Sequence, residues 1–170
     1  VFIPPLFQAE ETMIGNQLID SSVKNGVKQF ILITVTHSIL TTLLQHKAKR
    51  DIEEHLVYTG MKTQMPYTIL QPMHYMHNFR PKEVHKTGKY ENFYANDGKL
   101  CYVDPLDVGE VAAIVAKDPD KYDKGTFELV GTKKTYTPVD LVNIYNKITG
   151  EHAKATHIDV EDFLNQNHID

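Results

Sequence analysis

The sequence predicts an α/β protein built on a doubly wound, mostly parallel sheet. Short apolar runs of strand length alternate with longer segments whose apolar residues recur at helical spacing, and this alternation is typical of βαβ units. The run VKQFILIT at residues 27–34 is nearly continuous in apolar and β-branched residues, which indicates a strand covered on both faces. These patterns favour parallel strands joined by right-handed crossovers.

The composition is that of one domain. The chain has 170 residues, 41% hydrophobic and 24% charged, so we predict a single domain over residues 1–170. Its formal net charge of −4 comes from mixed charges of both signs, which argues against a nucleic-acid partner. The single cysteine, Cys101, has no internal disulfide partner, and we expect it to pack inertly in a strand. Without a signal peptide or an apolar run long enough to span a membrane, we expect a cytoplasmic protein with no membrane partner.

Two long helices flank the apolar run. The first is predicted over residues 8–25 and ends before Gly26, with apolar residues at helical spacing: Met13, Ile14, Leu18, Ile19 and Val23. The second is predicted from about residue 40 to residue 58 and ends at Gly60, with a buried stripe formed by Leu44, Ala48, Ile52 and Leu56. Both helices are therefore expected to pack against the sheet.

The second half of the chain continues the alternation. Strands are predicted at residues 66–72, 99–104, 126–131 and 153–159. Two helices begin with a capping residue, a proline at the first helical position and an acid at the third. These residues are Asp104, Pro105 and Asp107 for one helix and Thr137, Pro138 and Asp140 for the other. Gly150 ends the latter helix, a short helix is expected from Val160, and the polar segment 82–99 predicts a substrate-side or flexible loop.

The expected ligand site lies beyond the carboxyl ends of the strands. Open α/β sheets bind their ligands at that edge. The segments that follow Thr34, Leu70 and Val103 leave predicted strands at this edge. Polar side chains in these segments are therefore the candidate site residues.

Three blocks of the sequence carry a family resemblance. They read NGVKQFILITVTHS, then HKAKRDIEEHLVYTG leading to PYTILQPMHYMHNF, then YVDPLDVGEVAAIVAKDP leading to FELVG. In this order and spacing they resemble the NmrA-like branch of the atypical short-chain dehydrogenases and reductases, over most of residues 1–131. The resemblance implies a Rossmann-like domain that binds NADP or NAD.

The resemblance also implies that the first strands of the fold lie upstream of this sequence. Val1 to Ile3 would be the fourth strand of the family's sheet. The glycine-rich loop G-x-x-G-x-x-G, which holds the pyrophosphate at a helix N-terminus, is not found in the 170 residues. We therefore expect an N-terminally incomplete domain, whose binding of NADP or NAD is weak or absent without the upstream segment.

Lys49 matches a position of known chemistry in the related enzymes. In the main branch of short-chain dehydrogenases, a tyrosine four residues before this lysine donates the proton, while the lysine holds the ribose and lowers the pKa of the tyrosine. Here Gln45 stands at the tyrosine position, and an amide is not a general acid at neutral pH. His46 is the alternative donor because imidazole titrates near neutral pH, although it points about 100° away on the helix. Lys49 and His46 are the predicted catalytic residues.

The charged segment around Lys49 has a second interpretation. Lys49 with Glu53, and Arg50 with Glu54, have i, i+4 spacing and would form surface ion pairs of about 0.3 kcal/mol each. The charges would then mark only the solvated face of a helix. The residues alone favour this interpretation, whereas the resemblance favours contact with the cofactor ribose.

The resemblance implies further site residues. The cofactor-binding residues would be Pro4, Thr34, Thr36, His37, Lys49, Gln71, Pro72 and Met73. The substrate-contacting residues would be His74, Tyr75 and Asn78, with residues 132–170 as a C-terminal portion on the substrate side. For Thr34, hydrogen bonding at the strand end is an equally good explanation. His74 and His77 have i, i+3 spacing but no carboxylate or cysteine at ligand spacing, so no metal site is predicted.

Three functions are compatible with these residues. The first is an NAD(P)H-dependent oxidoreductase of a small carbonyl or quinone-like compound. The second is a non-catalytic NADP-sensing protein that regulates a partner protein, which the loss of tyrosine at Gln45 favours. The third is a truncated interaction module that uses helices 8–25 and 40–58 as its surface. A homodimer through this helix pair is expected in each case.

Overall fold

The computed structural model describes residues 1–5 and 10–159. In chain order the elements are α1 (Glu11–Lys24), β1 (Phe30–Ile33), α2 (Leu44–Thr63), β2 (Tyr67–Pro72), β3 (His74–Tyr75), α3 (Pro81–Thr87), β4 (Lys89–Asn92), β5 (Tyr102–Val103), α4 (Pro105–Lys117), α5 (Pro119–Tyr122), β6 (Gly125–Leu129), α6 (Pro138–Thr149) and β7 (Lys154–His157). The chain divides into two compact units, residues 1–73 with 103–130, and residues 74–102 with the chain from 131 onward. The extent of the single domain, 1–170, stays a prediction.

The first unit contains the parallel sheet that the sequence predicts. β1, β2 and β6 lie side by side in that order and run parallel. Phe2 forms a further parallel bridge with Leu32 of β1, so the N-terminal segment continues the sheet beside β1. The α/β fold class with a mostly parallel sheet is therefore confirmed. β1 begins at Phe30, later than predicted, and Val27 is exposed ahead of it.

The core of the first unit lies between α1, α2 and the sheet. Its buried residues are Ile19, Phe30, Leu32, Ile52, Leu56, Met65, Tyr67 and Ile69. α1 approaches α2 at Gly15, where an added methyl group would lie 2.7 Å from the side chain of Ile52. This helix contact therefore requires a residue without a side chain.

The buried face of α1 differs from the predicted apolar stripe. It consists of Glu11, Gly15, Ile19 and Ser22. Met13 and Leu18, two of the apolar residues that predicted the helix, are exposed. The close approach at Gly15 and the burial of Glu11 turn this face toward α2. Gly26 adopts a positive φ of 64° after the helix, as predicted, and the predicted start at Gln8 lies outside the described residues.

α2 extends past the predicted end. It runs over Leu44–Thr63 instead of 40–58, and Gln64 follows with a left-handed φ of 60°. Gly60, predicted to end the helix, lies inside it. An added methyl group at Gly60 would lie 2.5 Å from the ring of Tyr67. This glycine is therefore explained by the close approach of β2 and not by helix termination.

The second unit contains an element pair that the sequence did not reveal. The segment 82–99 was predicted to be a loop, but it contains most of α3 and all of β4. β4 pairs in parallel with β7, and β3 pairs with β5. The hydrophobic core of this unit includes Val84, Val142, Tyr145 and Ala153. α3 has one buried residue, Val84. The segment therefore lacks the repeated apolar residues that predict a helix.

The capping predictions are confirmed. The Asp104 carboxylate accepts a hydrogen bond from the Leu106 N–H at the start of α4. Thr137 and Asp140 form a reciprocal capping box at the start of α6. The helix predicted from Val160 lies outside the described residues. Within the described ranges, no helix is long and apolar enough to cross a membrane.

Candidate functional site

The carboxyl ends of the parallel strands meet at one edge of the sheet in the first unit. The backbone N–H of Thr36 donates to the carbonyl of Pro72 at 3.2 Å, so β1 and β2 stay paired beyond the end of β1. The N–H of Met73 donates to the last carbonyl of β6 at 3.0 Å. The predicted cofactor residues at or just beyond these strand ends are Pro4, Thr34, Thr36, His37, Gln71, Pro72 and Met73. This edge is the candidate site.

A buried carboxylate, Glu53 of α2, connects the ends of β1 and β2. Its Oε1 atom accepts hydrogen bonds from Thr34 Oγ1 and, at 2.9 Å, from Gln71 Nε2. Its Oε2 atom accepts a hydrogen bond from Ser38 Oγ at 2.6 Å. Thr36 Oγ1 donates to the backbone carbonyl of Gln71 at 2.7 Å. The polar residues that follow the two strands therefore form one hydrogen-bonded cluster.

Lys49 is buried, and its partner is a second acid. Its Nζ atom donates to the carboxylate of Glu11 on α1, and the two residues are only 3% and 2% exposed. The direct contact offsets the loss of hydration of both charges. The interpretation of Lys49 and Glu53 as a solvated surface pair is therefore wrong, because each buries its charged group with a different partner. Arg50 and Glu54 do form an exposed pair, at 3.7 Å.

The loop after β1 holds His37 in a left-handed backbone conformation. Its φ of 60° is uncommon for a residue with a side chain. Its Nδ1 atom lies 3.4 Å from the carboxylate of Glu128 on β6. Its backbone carbonyl accepts a hydrogen bond from Nδ1 of His46 on α2 at 3.0 Å, so Nδ1 carries a proton. His46 therefore lies beside the loop that carries His37.

One face of α2 points toward this edge. Gln45, Lys49 and Glu53 are spaced at i, i+4 and i+8, so they share a face of the helix. The same face meets Glu11 and the end of β1. The fold thus brings Lys49 and Gln45 to the edge where the predicted cofactor residues lie. The roles predicted for Lys49 and His46 stay predictions.

Four polar residues of this edge were not predicted from the sequence: Glu11, Ser38, Glu53 and Glu128. Glu53 had a signal, its i+4 spacing from Lys49, but that spacing was assigned to a surface pair. Glu11 lies 38 positions from Lys49, so no local pattern connects them. Only the packing of α1 against α2 brings the two charges together.

The sequence profile of the NmrA-like family matches residues 1–169. This chain belongs to the NmrA-like family. The parallel bridge of Phe2 beside β1 places the N-terminal segment in the sheet, and its rank as the family's fourth strand stays a prediction. No curated protein matches the chain significantly.

Solved structures similar to this NmrA-like chain share its fold. The NADPH-dependent quinone oxidoreductase of Escherichia coli, complexed with NADPH, is 20% identical, with a TM-score of 0.82 over 96% of this chain and 56% of that one. The triphenylmethane reductase of Citrobacter sp., complexed with NADP(H), is 16% identical, with a TM-score of 0.81 over 99% and 60%. A nucleoside-diphosphate-sugar epimerase of Staphylococcus aureus is 20% identical, with a TM-score of 0.80 over 99% and 59%. The NmrA-like chain thus spans less than two thirds of each.

The predicted substrate residues of the NmrA-like chain lie in its second unit. The ring of His74 packs edge-on against Tyr94 at 4.6 Å and against Tyr102 at 5.9 Å between centroids. Tyr75 is half-buried in β3, and Asn78 ends a short 3-10 turn. In the part of the chain that the structure describes, no group of three or more His, Cys, Asp or Glu residues could hold a metal ion.

Burial makes the tyrosines around His74 weaker acids than a free tyrosine. Burial raises the pKa of Tyr75 above its ordinary value. Burial, with a smaller electrostatic contribution from Tyr90, also raises the pKa of Tyr94 and of Tyr102. A phenol with a raised pKa gives up its proton less readily at neutral pH. Tyr75, Tyr94 and Tyr102 of the NmrA-like chain therefore present protonated phenol rings around His74 at neutral pH.

Proposed function

We propose that this NmrA-like chain is part of an NAD(P)H-dependent reductase of a small carbonyl or quinone-like compound. Family membership and the fold shared with an NADPH-bound quinone oxidoreductase and an NADP(H)-bound triphenylmethane reductase support the reductase class. The observation that carries the proposal is a buried lysine, Lys49, at the edge of the sheet where nicotinamide cofactors bind. In this proposal the protein works in the cytoplasm, where its single Cys101 stays reduced.

The polar edge of the sheet fits the nicotinamide end of the cofactor. The ammonium of Lys49 has three N–H donors, so contact with Glu11 leaves others for the ribose hydroxyls. Thr36 and His37, which follow β1, would border the nicotinamide. Pro72 and Met73, at the end of β2, would border it as well. The pyrophosphate would depend on a glycine-rich loop, which these 170 residues do not contain.

The residues of the chain would supply the proton in the reaction. Bound NAD(P)H would supply the hydride, and the oxygen of the compound being reduced would take a proton from the protein. Gln45 cannot donate one. His46 directs Nδ1–H to the carbonyl of His37, so the Nε2–H of the doubly protonated imidazolium is the proposed proton donor. His74, Tyr75 and Asn78 would contact the compound being reduced.

Two features that differ from the usual enzyme favour a second function, that of a non-catalytic NADP sensor. Gln45 replaces the proton-donating tyrosine, and Glu11 occupies one donor of Lys49. A protein of this kind could bind NADP without turnover and report its level to a partner protein. This alternative requires cofactor binding, as the reductase does, but no reduction of any compound.

Calorimetry with NADPH and NADH tests both functions. The samples are this chain and a version extended upstream to a natural methionine. Binding by the extended version supports a dinucleotide-binding protein whose pyrophosphate anchor lies upstream. If neither sample binds NADPH or NADH, both the reductase and the sensor proposals are wrong, and an interaction module is favoured.

Turnover then separates the reductase from the sensor. The measurement is steady-state oxidation of NADPH with a panel of quinones, aldehydes and ketones. Oxidation that depends on one compound class supports the reductase, whereas tight binding without turnover supports the sensor. The double variant Glu11→Gln with Lys49→Met removes the lysine without leaving an unpaired buried charge, and it should weaken NADPH binding about tenfold. Lys47→Met, which removes an exposed lysine paired with Asp51, should leave binding unchanged.

A further inference from the structure

Glu53 uses both of its carboxylate oxygens to join three separate segments. Oε1 accepts from Thr34 at the end of β1 and from Gln71 at the end of β2, and Oε2 accepts from Ser38 in the loop between β1 and α2. Every partner is a donor, so the group acts as a carboxylate acceptor at each contact. One side chain of α2 thus fixes the distances between two strand ends and a loop.

Burying the carboxylate of Glu53 has a free-energy cost that a purely structural residue would not need to carry. The side chain is 8% exposed. The lysine one turn before it, Lys49, directs its ammonium to Glu11. The hydrogen bonds to Glu53 come from two hydroxyls and an amide, which are uncharged donors. Apolar residues usually stabilise a core as well as buried charges do, so a buried carboxylate is better explained by the geometry that it enforces.

The loop held by Glu53 contains a backbone conformation that needs support. His37, at φ 60°, directly precedes Ser38, whose hydroxyl donates to Glu53. Thr36, on the other side of His37, is held to β2 through both its N–H and its hydroxyl. A left-handed residue with a side chain persists where the surrounding contacts determine it, and such residues concentrate at functional sites.

We propose that Glu53 is a positioning residue that holds the loop after β1 in the conformation that presents Thr36 and His37 to the nicotinamide end of the cofactor. The expected effect of Glu53 on cofactor binding rests on the proposed function. The arrangement of the loop itself rests only on the contacts of Glu53. Glu53 acts through Thr34, Ser38 and Gln71 and does not itself contact the cofactor.

The test compares Glu53→Gln with Glu54→Gln. Glutamine keeps the shape of Glu53 but removes its charge and replaces one acceptor oxygen with an N–H₂ group, so the partner of that oxygen must reverse its role or lose its hydrogen bond. Glu54 is the neighbouring residue on α2 and is exposed, so its variant controls for the loss of one negative charge from the same helix. Hydrogen exchange is followed at the N–H groups of Thr34 and Thr36, which are bonded to β2, and at those of β1 as an internal reference.

The expected result is local. In Glu53→Gln, exchange at Thr34 and Thr36 becomes about tenfold faster relative to β1, and NADPH binding by the extended version weakens by a similar factor. Glu54→Gln leaves both unchanged. If Glu53→Gln does not fold, Ser38→Ala removes one of the three contacts and should accelerate exchange at Thr36 while β1 stays protected.

Other outcomes would overturn the proposal. Equal acceleration across β1 and the loop means that Glu53 stabilises the fold as a whole. Faster loop exchange with unchanged NADPH binding means that the loop does not shape the cofactor site. If the unaltered protein binds no NADPH, the proposed function fails, and the exchange result alone then decides whether Glu53 positions the loop.

Discussion

The ammonium of Lys49 donates to the carboxylate of Glu11 in the interior between α1 and α2, 38 positions away in the chain. This pair changes the meaning of the charged segment around Lys49. Arg50 and Glu54 face the solvent on the same helix, whereas Lys49 and Glu53 face inward. One short run of charges therefore supplies both a wet surface and the polar lining of the candidate site.

The buried pair predicts a large loss of stability when one partner is removed. Glu11→Gln leaves the ammonium of Lys49 buried without its counter-charge, and we expect the free energy of unfolding to fall by about 3–5 kcal/mol. The measurement is chemical denaturation. Glu54→Gln, which breaks only the exposed pair with Arg50, should cost less than about 1 kcal/mol. The double variant Glu11→Gln with Lys49→Met should recover part of the loss, and a double variant as unstable as Glu11→Gln would contradict this account.

Alanine at Gly60 and at Gly109, two of the helical glycines, should change the free energy of unfolding in opposite directions. At Gly60 the added methyl group meets the ring of Tyr67, so we expect Gly60→Ala to lower the free energy of unfolding by about 1–3 kcal/mol. At Gly109 in α4 no atom outside the adjacent helix backbone lies within 4 Å of the added group, so Gly109→Ala should raise the free energy of unfolding by about 0.5–1 kcal/mol. Thermal unfolding of both variants checks the prediction, and equal effects would exclude a close contact at Gly60.

Glu151 should make the stability of the second unit sensitive to acid. A hydrogen bond from His85, and then one from Tyr145, hold the pKa of this carboxyl below its ordinary value. A lowered folded-state pKa stabilises the protein above the unfolded value, near 4.3, and this contribution is lost as the pH falls through the folded value. The difference in stability between the unaltered protein and Glu151→Gln should therefore shrink on acidification.

Denaturation at several pH values measures the difference in stability between the unaltered protein and Glu151→Gln. The range from about pH 5.5 to pH 2.5 spans the ordinary glutamate pKa. Glu110→Gln on the exposed surface of α4 serves as a matched control for the loss of one carboxylate. A difference for Glu151→Gln that grows as the pH falls would contradict the assigned direction.

Self-association is expected to use the outer surface of α1 and α2. Tyr58 is 56% exposed and lines a groove between the two helices, and Met61 nearby on α2 is 65% exposed. Tyr58→Arg should therefore shift a dimer toward monomer in sedimentation, because a charge would be buried at the contact. Leu106→Arg, at an exposed apolar residue of α4, should leave the distribution unchanged. A monomer at all concentrations for the unaltered protein would remove the homodimer proposal.

Local signals in the sequence predicted the parts of the fold that depend on near neighbours. The caps at Asp104 and Thr137 were correct because a cap is a contact between residues two or three positions apart. The strand over 66–72 was nearly correct because its apolar run has the length of a strand. α3 and β4 were missed because one buried side chain, Val84, gives no periodic pattern.

The sequence by itself determined the alternation of strands and helices, their caps and, through ordered blocks, the NmrA-like family. Tertiary structure alone decided the partners of the charges. Lys49 and Glu53 have the spacing of a surface pair, and i, i+4 spacing is the same whether a helix face meets water or protein. Packing of α1 on α2 at Gly15 brought Glu11 to Lys49, and the ends of β1 and β2 brought hydroxyl and amide donors to Glu53. Desolvation then made these distant contacts necessary, because a buried charge without a partner is too unstable to persist.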